Sequence, residues 1–319
     1  MTNQVLLADI GGTNARFALM ERGEIGPPEH LRVADFPRIE DAIAAFLSRQ
    51  GAAKPAACLL GVAGPVVNNR CIFTNSPWVV DGGALAKQFG NASVRLLNDF
   101  EALGWSLPAL KPADLFALGE QRAVPDAPML VLGPGTGFGT AAFLQTPQPA
   151  VVVTEAGHAT LPATSDREAH VIAELRRRFD HVSIERVLSG SGLENLYQAL
   201  AAVDGATAEP RDAAAITEAA FDGSSPLSRA TVDMFCAFLG GVAGNLALTF
   251  LARGGVFIAG GIVPRFADRL GETQFRTQFE SKGRYDDLLR QVPTSVITTP
   301  DTSFIGLKTF FERRLQAAG

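Results

Sequence analysis

Two segments of this 319-residue chain share one pattern: an apolar run of strand length, a glycine-rich turn containing threonine, and a second short run. Val5-Leu6-Leu7-Ala8-Asp9-Ile10 leads into Gly11-Gly12-Thr13-Asn14-Ala15-Arg16. Met129-Leu130-Val131-Leu132 leads into Gly133-Pro134-Gly135-Thr136-Gly137-Phe138-Gly139-Thr140. Each predicts a buried strand that turns through glycines and returns as another strand. Backbone N–H groups exposed at such turns cradle phosphate oxygens. Two cradles, with a carboxylate closing the first strand, point to a nucleotide held between two lobes. A glycine β-turn with no ligand is the alternative for either segment alone. A dinucleotide-binding turn fits poorly, because no helix follows at once and Pro147 and Pro149 soon break the second run. Neither segment is followed by the lysine of a Walker loop.

The length predicts two domains. With 47% apolar and 19% charged residues the chain is globular, and a net charge of -5 without a basic stripe argues against nucleic acid. Cys58, Cys71 and Cys236 lack C-x-x-C spacing, so buried thiols in a reducing compartment are expected, not a disulfide framework or zinc. The residues ahead of Val5 carry no basic and apolar leader pattern. The run Phe235 to Leu251 is short and is interrupted by Gly240, Gly241, Gly244 and Asn245, so no membrane span is expected. The expectation is a soluble cytoplasmic protein.

The periodicity predicts a third strand over Leu31–Phe36, a helix over Ile39–Arg49 and a fully buried strand over Ala56–Val62. A short strand over Cys71–Thr74, a helix over Asp81–Phe89 capped by Asp81, and a strand over Val94–Leu97 follow. From Met129 a similar order starts again, which predicts a duplicated unit whose second copy holds more helix. Ser165 and Glu168 form a capping box opening Asp166–Phe179, with Arg176 to Arg178 at its negative end. A long helix is predicted over Ala230–Leu251. Gly240 and Gly244 share one face of it, which predicts close approach of another backbone. Gly255–Ala259 is read as a strand, Gly260-Gly261 as a tight turn, Pro264 as a helix start, and Phe304–Gln316 as a final helix. Pro108, Lys111 and Pro112 mark a hinge.

Several side chains could carry chemistry. Asp9 ends an apolar strand, where a carboxylate is either satisfied within its turn or faces a cation. A nucleotide brings Mg2+, which prefers oxygen ligands, and Asp9 is read as facing that ion through water. Asp99 follows a buried strand and opens a helical run. It reads as an N-cap or as a general base held ionised by the helix N-terminus. Phosphoryl transfer to an alcohol needs such a carboxylate near the hydroxyl, with positioning dominant. Glu155-Ala156-Gly157-His158 follows the strand Val151–Thr154, where glutamate and neutral imidazole can bind polyol hydroxyls; a structural histidine is the alternative.

Six motifs occur in order: Asp9-Ile10-Gly11-Gly12-Thr13-Asn14-Ala15-Arg16, Leu97-Asn98-Asp99-Phe100, Leu132-Gly133-Pro134-Gly135-Thr136-Gly137, Glu155-Ala156-Gly157-His158, Glu185-Arg186-Val187-Leu188-Ser189-Gly190, and Phe257-Ile258-Ala259-Gly260-Gly261-Ile262. This ordered set resembles the bacterial ATP-dependent glucokinases of the hexokinase superfamily, over nearly the whole chain. The resemblance implies an α/β, two-lobed actin-like (ribonuclease H-like) ATPase fold with duplicated βββαβαβ units around a cleft. It implies a small lobe of residues 1–110 plus 301–319 and a large lobe of residues 111–300. It implies transfer of the ATP γ-phosphate to the 6-hydroxyl of glucose, with Asp99 as general base and Mg2+ accompanying ATP. Asn75, Asn98, Asp99, Glu155, His158 and Glu185 are implied as sugar contacts. Asp9, Gly11, Gly12, Thr13, Asn14, Gly135, Thr136, Gly137, Gly260 and Gly261 are implied as nucleotide contacts, and a homodimer is implied as the assembly.

Two departures stand out against related sugar kinases. The cysteine-rich zinc motif of the repressor, open reading frame and kinase proteins is missing after His158, and Ala156 replaces a common glycine. A hexose-sensing regulator, a filament-forming ATPase and a kinase for mannose, fructose or an N-acetylhexosamine are the competing readings. The first has no place for an output module ahead of Val5, and the second has no use for Glu155, His158 and Glu185.

Overall fold

The computed structural model describes residues 4–51, 54–73, 76–90, 92–145 and 148–315. The chain separates into two compact units, Met1–Leu110 with Pro300–Gly319, and Lys111–Thr299.

The first unit is built on β1 (Val5–Ile10), β2 (Asn14–Glu21), β3 (Glu24–Ile25), β4 (Glu29–Arg32), α1 (Ile39–Arg49) and β5 (Ala57–Val62). It continues through β6 (Arg70–Ile72), β7 (Val79–Asp81), α2 (Gly82–Gln88), β8 (Ser93–Asn98) and α3 (Asp99–Ser106). One sheet runs β3-β2-β1-β5-β8, with β4 also paired to β2. β1 and β2 form the expected antiparallel hairpin, with Asp9 opposite Arg16, while β1, β5 and β8 are parallel. Successive side chains point to opposite sheet faces. Leu6, Ala8 and Ile10 therefore join Cys58, Leu60, Val62, Val94 and Leu96 in a core covered by Ile43 and Phe46 of α1. The rings of Phe17 and Phe46 stack there at 5.7 Å.

Asp81 caps α2 as expected, accepting the Ala84 N–H at 3.0 Å. The third strand is earlier and shorter than its pattern suggested. Pairing stops at Arg32, and Val33–Asp35 form one 3-10 turn in which Val33 donates its N–H to Thr13. Of the expected strand Cys71–Thr74, Thr74 lies outside the described residues.

The second unit repeats the order. β9 (Leu115–Ala117) precedes β10 (Met129–Pro134), β11 (Phe138–Leu144) and β12 (Ala150–Thr154). After α4 (Asp166–Leu175), α5 (Gly190–Asp204), α6 (Ala213–Phe221) and α7 (Pro226–Phe250) come β13 (Gly255–Ile258), α8 (Phe275–Glu280), α9 (Asp286–Gln291) and β14 (Thr294–Ile297). The sheet order is β12-β11-β10-β13-β14-β9. A three-strand antiparallel meander followed by two parallel strands is the topology of the first sheet, so the duplication holds at the level of strand pairing.

Ser165 caps α4, but the helix ends at Leu175 instead of Phe179, and the three arginines form the turn beyond it. The Glu168 carboxylate takes the N–H of Thr164 and not that of the cap residue, so only half of the capping box forms. Helix α7 is, among the described residues, the one helix long and apolar enough to cross a membrane, and 72% of its most apolar window is buried inside the protein. Its surface is used by α5, α6 and α8. A methyl group on Gly240 would lie 2.0 Å from the Phe275 carbonyl oxygen, and one on Gly244 would lie 2.4 Å from that of Phe279. The backbone of α8 is thus the close neighbour that the two glycines predicted.

The chain returns to the first unit as α10 (Thr302–Phe310), two residues earlier than its pattern suggested, and Phe311–Leu315 is a π-helical turn. Gln316 lies outside the described residues. α10 packs along α3 on the sheet face that carries Leu7 and Leu59.

Candidate active site

In the first unit the chemistry gathers at the C-terminal ends of parallel strands, where ligands of open α/β sheets bind. Asp9 closes β1. Arg16, opposite it on β2, donates Nε to Asp9 Oδ2 at 3.1 Å and also pairs with it through Nη2. The same guanidinium donates to the Pro300 carbonyl at 2.9 Å, lies 3.6 Å from Asp301 and stacks over Phe304. Arg16 was quoted in the sequence only as part of a motif; its partners are 284 residues away in one case, so no local pattern could reveal this role.

The turn after Asp9 is closed by Gly11 N–H to the Asn14 carbonyl at 2.9 Å. Among the described residues the N–H groups of Gly12 and Thr13 have no backbone partner, as an anion cradle requires. For a cation, the donor set is one carboxylate with Oδ2 committed to Arg16, and no cluster of three His, Cys, Asp or Glu side chains exists among the described residues. That set fits Mg2+ arriving on phosphate oxygens, since Mg2+ takes one or two carboxylates and keeps water.

Asp99 is the first residue of α3, and the cap is its neighbour. Asn98 Oδ1 accepts the Phe100 N–H at 3.0 Å, and its Nδ2 donates to the Gly64 carbonyl at 3.2 Å. The reading of Asp99 as the N-cap is therefore corrected: Asn98 does that work and leaves Asp99 Oδ2 free of the cap, while Oδ1 takes the Phe100 N–H at 2.9 Å. Burial pushes the Asp99 carboxyl up to about 6, with the Asp9 charge adding to it and the hydrogen bonds from Phe100 and Asn98 opposing it. Asn75, the remaining candidate of this unit, lies outside the described residues.

In the second unit the other candidates converge. Glu155 precedes a single 3-10 turn, Ala156–His158, and its carboxylate lies 3.9 Å from His158 Nε2, both side chains being exposed. The Glu185 N–H donates to the Gly157 carbonyl at 2.8 Å, which fixes Glu185 beside that turn. Its Oε2 accepts the Phe138 N–H at 2.9 Å, just past the second glycine turn. A methyl group on Gly137 would fall 2.5 Å from the same oxygen, so only glycine lets the carboxylate lie there.

Gly133, Pro134 and Gly135 sit against Ala259 to Gly261. Gly260 has φ +88°, and a methyl group on it would meet the Pro134 carbonyl oxygen at 2.2 Å. Among the described residues the N–H groups of Thr136 and Gly137 again lack backbone partners. Next to this turn, Ile262, Arg265 and Phe266 with Ala213, Thr217 and Phe221 line a mostly apolar cleft of about 470 Å3. Its rings, Phe221 and Phe266, lie 5.2 Å apart. The sequence reading stopped at the two glycines and missed these residues; the turn after Pro264 was visible, but α6 joins it only in three dimensions.

The Glucokinase family profile matches residues 6–314. A glucokinase of Paramagnetospirillum magneticum is 44% identical over 96% of this chain and 97% of its own length. Among solved structures, a glucokinase from an Antarctic psychrotroph superposes with a TM-score of 0.91 at 36% identity, covering 98% of this chain and 99% of that one. A ROK family glucokinase from Streptomyces griseus, solved with glucose and AMPPNP, shares the fold at a TM-score of 0.63 and 18% identity over 96% of this chain and 98% of its own. With two glycine turns that leave N–H groups without backbone partners, a carboxylate at a helix start and the actin-like ATPase fold, the chain belongs to the glucokinase family, whose enzymes phosphorylate glucose with ATP.

Proposed function

We propose that Asp99 is the general base that takes the proton of the glucose 6-hydroxyl as the ATP γ-phosphate is transferred to it. The observation that carries this reading is the Asp99 carboxyl at the start of α3, which shares the Phe100 N–H with the cap Asn98 through Oδ1 only and is raised to about 6. A base of that strength is ionised at neutral pH yet accepts a proton readily, as general base catalysis favours. In a loose transition state the proton leaves late, so holding the hydroxyl in line matters more than basicity.

Asn98, Glu155, His158 and Glu185 bind the remaining sugar hydroxyls, with Asn75 as a further contact. Carboxylates accept from hydroxyls and imidazole does either, so together they fix the ring. The free N–H groups of Gly12, Thr13, Thr136 and Gly137, with Asn14, receive phosphate oxygens. Adenosine lies along Gly260-Gly261, its base in the apolar cleft of Ile262, Phe266 and Phe221. Mg2+ on the phosphates would neutralise part of their charge, and Asp9 would hold it through water. The proposal extends to a homodimer in the cytoplasm.

The test compares Asp99→Asn with the parent enzyme. Glucose binding by calorimetry should survive within a few fold, while turnover followed by ADP release falls by about 10²–10⁴. Near-normal turnover in this variant would remove Asp99 from the role. Profiling mannose, fructose and N-acetylglucosamine beside glucose in the same assay fixes the acceptor.

A further inference from the structure

Glu185 and His158 both line a polar cleft of about 520 Å3, large enough for a small molecule. Its other wall carries Arg178, Arg186 and His181. Both guanidinium groups lie on one ring: Arg186 stands 4.4 Å and Arg178 5.3 Å from the Phe179 centroid. Asn195 ties them further, accepting from Arg178 Nη2 at 3.2 Å and donating to the Arg186 carbonyl at 3.2 Å. Neither guanidinium has a carboxylate within ion-pair distance among the described residues. Asp180 is the single acid on that wall, and one Glu185 oxygen is already bonded to Phe138.

Two like charges held on one ring repel, and a planar fork presented without a carboxylate suits a phosphate dianion. We propose that this cleft extends the acceptor site and binds the phosphate of a hexose monophosphate, whose ring occupies His158 and Glu185. The inference rests on the assignment of those two residues to the sugar. The proposed reaction uses the 6-hydroxyl, so a ligand that keeps this hydroxyl carries its phosphate on another carbon; the anomeric hydroxyl is the most acidic of the others, so the ligand is a hexose 1-phosphate. Bound there, it excludes glucose and acts as a competitive inhibitor.

The probes are glucose 1-phosphate, glucose 6-phosphate and inorganic phosphate, titrated into the full-length enzyme with and without glucose. Glucose 1-phosphate should compete with glucose and bind about tenfold more tightly than either other probe. In the double variant R178Q/R186Q it should weaken about tenfold or more, while glucose affinity stays within about twofold. Raised salt should weaken it in the parent enzyme and hardly at all in the double variant, because both arginines are exposed. Equal affinity in the parent and the double variant, no competition with glucose, or equal binding of inorganic phosphate overturns the proposal. Loss of glucose binding in Glu185→Gln checks the underlying sugar assignment separately. If glucose binding survives that change, the assignment falls, whatever the arginine variants show.

Discussion

Asp9 and Asp99 close two parallel strands, β1 and β8, that are separated only by β5. In register, Asp9 lies beside Gly61 and Asn98 beside Val62. A methyl group on Gly61 would lie 4.0 Å from Asp9 Oδ1 and 3.7 Å from the Ala102 Cβ of α3. The two carboxylates have opposite circumstances: Arg16 compensates Asp9, while Asp99 has burial and the Asp9 charge against it.

With Asp99 as the proposed base, this asymmetry should set the pH dependence of catalysis. Asp99 must be ionised to accept a proton, and its carboxyl titrates at about 6. A plot of log kcat/KM against pH should bend downward below about 6 with unit slope, measured at saturating ATP. An acid limb near the ordinary aspartate value would show that Asp99 is not the group responsible.

The same group weakens the fold at neutral pH. Below its unfolded value near 3.8 it is neutral in both states. Between there and about 6 the unfolded chain releases the proton first, so stability falls as pH rises through this window. At about 1.4 kcal/mol per unit the penalty reaches at most about 3 kcal/mol above pH 6. Asp99→Asn, inactive by expectation, should therefore be more stable than the parent by about 1–3 kcal/mol at pH 7–8 and little different near pH 4. Urea denaturation at the two pH values measures this; a gain at pH 4 equal to that at pH 7.5 contradicts it.

In the proposed site, Glu185 serves the fold and the sugar with different atoms. In Glu185→Gln the amide oxygen can still accept the Phe138 N–H, so stability should change by less than about 1 kcal/mol. Glucose affinity should drop about 10- to 100-fold, because hydrogen bonds to a charged group are the stronger kind. Glu185→Ala leaves the N–H of the buried Phe138 unpaired and should cost about 1–3 kcal/mol as well. Calorimetric glucose titration and thermal melting of the two variants separate these effects.

Gly306 of α10 lets that helix lie against α3, the helix that starts at Asp99. A methyl group there would fall 1.7 Å from the Ala102 carbonyl oxygen. Gly306→Ala should force the helices apart, lower stability by about 1–3 kcal/mol and reduce turnover even at temperatures where the protein is folded. A variant with parental melting and parental kcat would show that α10 does not support the position of Asp99.

Much of this architecture could be read from local pattern. The continuous apolar run of Val5–Ile10, the 3.6-residue stripe of Ile39–Arg49 and the glycine spacing in α7 act over one turn or one strand, and the elements formed where those signals were strong. Boundaries shifted where tertiary partners compete with local preference. The third strand ended early because Val33 donates to Thr13 across the hairpin, and α4 stopped before its arginines. Which residue caps α3 turned on a contact between Asn98 and Gly64, 34 positions apart, that sequence does not display.

Residue types at short spacing were enough to read the ordered motifs, the duplicated strand order and hence the family. How charges are shared emerged once the chain had folded. Arg16 finds Asp9 and Pro300, Glu185 finds Phe138, and Phe266 finds Phe221, through contacts between segments far apart in the chain. The proton affinity of Asp99 belongs to this second class. It arises from burial at the start of α3 and from a like charge two strands away, quantities that exist only after the sheet has formed.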